Sequence, residues 1–202
     1  MDGILDKWEE VLENLESKLK DVEIPMYYSG YQSGMDMYYS DDVHNFFEDV
    51  STKKEKLTSL KTAIVTIKDL AEQCNNAWDS KKSSVIDTLT EKLNGTKIQT
   101  VASNITTKLQ NLINKWDVLG EDIGQLVEEC NYKYNQVCII LDKIDNISVK
   151  IETNRALLRG AFNYQSAIWG AMSEDKKKEY GNNFYAFWNS NPYNGQALQS
   201  AW

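Results

Sequence analysis

The sequence has little that would break a helix. Among its 202 residues are two prolines and ten glycines, the two residue types least favourable inside a helix, so long helices are the natural expectation. Cysteine is equally sparse. Of the three, Cys130 and Cys138 lie eight residues apart on one helical pattern, about 12 Å along its axis, too far to bridge without unwinding. With Cys74 they read as small buried hydrophobes rather than a disulfide framework. The single histidine, His44 in "DDVHNFFED", has no nucleophile or second ligand nearby. A Gly-rich phosphate loop, cysteines at zinc spacing and a Gly-x-Ser-x-Gly elbow are all missing. Carboxylates alone can hold calcium or magnesium, but "DDVHNFFED" and "GEDIGQLVEE" match no loop spacing and read as solvated faces. No catalysis, cofactor or metal is expected.

Positive charge is in deficit, with a formal net charge of −8 and a pI near 4.8. That argues against nucleic acid, whose phosphates must be met by Lys and Arg, and against anionic membrane surfaces. The only apolar run, "VCIILDKI", is short and flanked by charge, far from the roughly 18–20 residues of a membrane span. The start, "MDGILDKWEEVLENL", has acids interleaved from its second residue and lacks the basic opening and apolar run of a secretory signal. The expected location is secreted without a cleaved signal peptide, or cytoplasmic.

What is present is helical periodicity and large rings. Hydrophobic residues make up 42%, with six Trp and eleven Tyr, enough apolar surface for a core. Asp2 to Val22 places Ile4, Trp8, Leu12, Leu15 and Leu19 on one face, with Pro25 beyond. "PMYYSGYQSGMDMYYSDD" reads as an ordered loop held down by its rings. Asp41 or Asp42 can cap a helix running through Phe46, Phe47, Leu57, Leu60, Ile64, Ile67, Leu70 and Cys74. The polar stretch "EQCNNAWDSKKSSV" then reads as a break, and "NGT" at 94–96 as a helix stop. From Ile105 the pattern Ile105, Leu109, Leu112, Trp116, Leu119, Ile123, Leu126, Cys130 alternates steps of four and three, a seam for another helix. Gly120 and Gly124 inside it mark a kink or a close crossing. Past residue 160 aromatics crowd together, with Ser173 placed to cap a short helix through Tyr180.

Trp78 stands in the polar break. If the chain reverses there, Asp79 or Ser80 can cap the next helix, and Trp78 folds over the end of the bundle as a lid. A helix, Trp-x-Gly at a turn and an antiparallel helix is also the plan of the small ESAT-six-like proteins exported by Gram-positive type VII secretion systems. Residues 50–145 resemble that plan, with Trp78-Asp79-Ser80 at the turn. The longer Leu-x-Gly domains of the same systems are similar in their aromatic-Gly segment ahead of a long helix, here "YYSGYQSGMDMYYSDDVHNFF". Position 80 is Ser where the family has Gly, and the family's Tyr-to-acid export spacing occurs at Tyr38 and Asp42, ahead of the hairpin. The resemblance implies a secreted, non-catalytic protein that pairs with a helical partner.

The expected fold is all-α: an elongated, mostly antiparallel bundle over 1–160 with a hairpin around Trp78, and an aromatic segment over 161–202 packed on it. The function expected is a helical interaction protein, with a cytosolic or virion-associated coiled-coil scaffold or adaptor as the alternative. Partner or self-contact is expected through Trp78, Ile105, Leu109, Leu112, Trp116, Leu119 and Ile123. Trp169, Trp188 and Trp202 are candidates for core or partner contact.

Overall fold

A computed structural model of the chain, describing residues 2–93 and 99–196, is all-α. Its helices are α1 (Asp2–Lys18), α2 (Tyr28–Tyr38), α3 (Asp41–Leu93), α4 (Gln99–Ala171), α5 (Glu174–Glu179) and α6 (Phe184–Ser190). The chain divides into two compact units, one of residues 1–55 with 140–202 and one of residues 56–139. The division falls within α3 and α4.

In the first unit, α1 buries Leu12 and Leu15, with Leu19 just beyond its end, as expected from the sequence, and Leu5 with them, while Trp8 is half-buried. α4 contributes Ile140, Ile144, Ile147, Ile151 and Leu158 to the core of the same unit. Lys143 on α4 donates to Glu13 at 2.9 Å and Glu9 at 3.0 Å. Those bonds, Glu13 first, hold its ammonium above the ordinary lysine value.

The Tyr- and Gly-rich segment is a helix, not a loop. One of its glycines serves close packing: Gly34 in α2 is buried against the Leu158 side chain. Tyr28, Gln32 and Asp36 form a ladder along the same helix, the Tyr28 hydroxyl donating to Gln32 Oε1 and Gln32 Nε2 to Asp36, which is the i,i+4 spacing of a helix surface. At its end the buried Tyr38 hydroxyl donates to the Lys20 carbonyl at 2.6 Å.

The C-terminal segment packs on the N-terminal one. Trp188 is fully buried, and its indole N–H donates to the Met26 carbonyl at 3.1 Å. Met26 also exchanges backbone bonds with Tyr193. Ser173 caps α5 by accepting from the Lys176 N–H, as expected. The helix ends where Gly181 takes a φ of +64° and Gly181 and Asn182 donate back to Lys178 and Lys177, the Schellman arrangement a glycine makes easy.

In the second unit α3 and α4 run antiparallel. Lys61 lies over the Tyr134 ring, Asn75 faces Gly120, and Lys82 pairs with Asp117, so positions rise along one helix as they fall along the other. The expected break at 72–85 does not occur: α3 is continuous to Leu93. No Pro or Gly interrupts that stretch, and its cap-type residues bond to their own helix instead, Ser83 donating to the Asp79 carbonyl and Thr88 to that of Ser84. Trp78 is thus not a lid at a turn. The helix stop at 94–96 lies outside the described residues.

Candidate interaction surface

The seam of the helix pair explains what stays outside it. On α3, Leu57, Ile64 and Ala71 are buried at intervals of seven, and Trp78 continues the row half-buried. The alternate seam positions are Lys61, Lys68, Asn75 and Lys82. Every second layer of this seam therefore carries a polar side chain, where a two-helix coil usually carries an apolar one. Lys61 is held above its ordinary value, first by its hydrogen bond to the Cys138 thiol and then by the nearby charges of Cys138 and Tyr134.

On α4 the residues turned inward are Ile113, Gly120, Ile123, Val127, Cys130, Tyr134 and Val137. The row expected from the sequence shares Ile123 and Cys130 with this set, but its Leu112, Leu119 and Leu126 each stand one residue before the inward Ile113, Gly120 and Val127. Leu112, Leu119 and Leu126 are 50%, 45% and 42% exposed, and together form a stripe at intervals of seven on one flank. On α3 the facing flank carries Ile67 and Leu70, 48% and 56% exposed, followed by the exposed Cys74 and Ala77. Cys74 is thus a surface thiol, whereas Cys130 is buried and Cys138 half-buried. A core position was expected for all three.

Between the two flanks runs an apolar groove of about 390 Å³, lined by Cys74, Ala77, Trp78, Leu119, Gly120 and Ile123. Gly120 deepens it, because that position has no side chain where the helices meet. Gly124 has nothing within 4 Å of a Cβ, so only the first of the two glycines marks a crossing. Of the residues expected to make contact, the structure brings Trp78, Leu119 and Ile123 together, with Leu112 one heptad along the same flank. Ile105, Leu109 and Trp116 belong to α4, but their side chains lie outside the described residues. Ile67, Leu70 and Cys74 stand on the helical row read from the sequence but were not singled out for contact, and Ala77, inside the supposed break, was missed.

The aromatic tail divides differently. Trp188 is core. Trp169 is half-buried, with Lys177 over its ring. It lines a cleft of about 400 Å³ with Tyr28, Tyr31, Phe162, Phe184 and Tyr185. The rings of Tyr28 and Tyr185 stand 4.2 Å apart. Burial, then the hydrogen bond with Tyr185, pushes the Tyr28 phenol up. Trp202 lies outside the described residues.

His44 is exposed and meets Glu48 at 3.2 Å. Among the described residues no three His, Cys, Asp or Glu side chains gather as a metal site would require, and no helix is long and apolar enough to cross a membrane. Comparison with family models, with curated proteins and with solved structures finds no match to this chain.

Proposed function

We propose that the chain is a non-catalytic helical interaction protein, and that the apolar flank of its α3–α4 pair receives another helix. The observation that carries this reading is the stripe Leu112, Leu119, Leu126 standing about half exposed beside the Trp78 groove. A third helix laid there would turn its own apolar face, with anchors at i, i+3, i+4 and i+7, onto this row of leucines. The polar layers of the seam support the same reading. Two helices joined by so few apolar layers leave much of their hydrophobic surface to be covered by something else.

The test is affinity capture from the native cells with the wild-type chain and with Leu119→Glu, read by mass spectrometry. Position 119 is exposed, so the variant keeps its helices by circular dichroism. Partners, or further copies of the chain, recovered with the wild type and lost with the variant support the reading. Recovery that ignores the substitution sinks it.

Export by a type VII system is a second proposal. The antiparallel pairing of two long helices in residues 56–139 supports it. The placement of Trp78 inside α3 does not. Recovery of the intact protein from culture supernatant, dependent on the secretion ATPase, tests it.

A further inference from the structure

The charges bordering the leucine stripe repeat with the same period as the leucines. Along α4, Lys108, Lys115, Asp122 and Glu129 follow at intervals of seven, all exposed, on the side of the stripe away from the groove. Two cations come first and two carboxylates second. Seven residues is about 10 Å of helix rise, too far for these four to pair usefully among themselves in water. The four therefore do not neutralise one another along the row.

The row gains from an inverted copy of itself. When α4 is laid antiparallel against a second α4, with the turning point at Leu119, Leu112 meets Leu126 and Leu119 meets Leu119. The same operation places Lys115 beside Asp122 and Lys108 beside Glu129, because the charged row is centred on the same part of the helix to within one residue. A parallel pair at the same level would oppose lysine to lysine and acid to acid. An isologous contact of this kind, in which residue i meets j and j meets i, is what a two-fold dimer requires.

We infer that the helix received by this flank is α4 of a second copy of the chain, held antiparallel by the partner's Asp122 against Lys115 and the partner's Glu129 against Lys108. The inference rests on the interaction reading above and names its partner. The small exposed Cys74 and Ala77 on α3 border the contact and allow close approach at its centre.

The test is analytical ultracentrifugation of the full-length protein over a concentration series. The wild type is expected to pass from monomer to dimer, and Leu119→Glu to stay monomeric. Lys115→Glu alone places two acids together at each of the two symmetric contacts, and Asp122→Lys alone places two lysines there. Each single variant is expected to dimerise roughly tenfold or more weakly, since it places like charges together at both symmetric contacts. Mixing the two variants restores opposite charges at both contacts and is expected to yield the heterodimer. The double variant Lys115→Glu/Asp122→Lys is expected to recover self-association. A wild type that remains monomeric, a Leu119→Glu protein that still dimerises, or a mixture that does not pair would each overturn the inference. A monomeric wild type that captures a different helical protein through Leu119 would overturn this inference alone and leave the interaction reading standing. Loss of both would remove both.

Discussion

Gly34 in α2 lies directly against Leu158 in α4: a Cβ at position 34 would sit 2.7 Å from Leu158 Cδ2 and 3.3 Å from Cδ1. Leu158 is fully buried, so its methyl groups have little room to retreat. Gly34→Ala raises the intrinsic helix preference of α2 by up to about 1 kcal/mol but forces extra volume into a filled site, which costs roughly 1–3 kcal/mol. The expected net result is a loss of about 1 kcal/mol in urea unfolding. Combining it with Leu158→Val should cost less than the sum of the two single changes, because the shortened side chain makes the room. A Gly34→Ala protein more stable than wild type would show that the leucine yields freely.

Ser80 separates a continuous α3 from a helix–turn–helix around Trp78. It is exposed and lies well inside α3. A proline there removes a helix hydrogen bond and clashes with the preceding turn, at about 3 kcal/mol or more. Were Asp79 a cap, position 80 would be the first residue of a new helix, where proline is welcome. Ser80→Pro is therefore expected to lower both the helix content and the melting temperature. An unchanged melting curve would restore the turn.

How far the fold could be read in advance follows from the reach of each signal. Leu12, Leu15 and Leu19 announce the buried face of α1 because their spacing is local, and Ser173 announces a cap because its partner is three residues away. Gly34 misleads because its purpose is a contact with a residue far along the chain. Asp79, Ser80 and Ser84 carry turn chemistry that a long helix packed on its neighbour overrides, since tertiary packing outweighs propensity. On α4 the apolar residues fill two adjacent stripes, Ile113–Gly120–Val127 inside and Leu112–Leu119–Leu126 outside. Periodicity alone prefers the larger leucines. Only the glycine at position 120, fitting against Asn75, reveals which stripe the neighbouring helix occupies.

Tyr38 should make stability fall in alkaline solution. Its phenol is pushed up to about 12 from 10.0, chiefly by burial and secondarily by the charge of Asp21. The folded protein thus holds this proton more tightly than the unfolded chain. The resulting stabilisation is fully present below pH 10 and is lost as pH rises toward 12, roughly 2–3 kcal/mol over the interval. Tyr38→Phe removes the titrating group along with the bond to the Lys20 carbonyl. Denaturant unfolding at several pH values should show the variant less stable at neutral pH and flatter than wild type between pH 10 and 12. Parallel curves in that window would assign the alkaline loss to other groups.

Cys74 reports on the groove without any change to the chain. Its thiol is exposed at the groove wall, whereas Cys130 is buried in the seam and Cys138 is half-buried. A thiol reagent under native conditions should modify Cys74 first, in a phase that disappears in Cys74→Ser. Cys130 should wait for denaturant or for opening of the helix pair. A helix laid along the leucine stripe borders the same wall, so the fast phase should slow as protein concentration rises if the partner is a second copy, and slow only on adding the partner if it is another protein. Equal rates for Cys74 and Cys130 at low concentration would mean that the two helices separate readily in solution, and the exposed leucines would then belong to a pair that is closed only when its partner is bound.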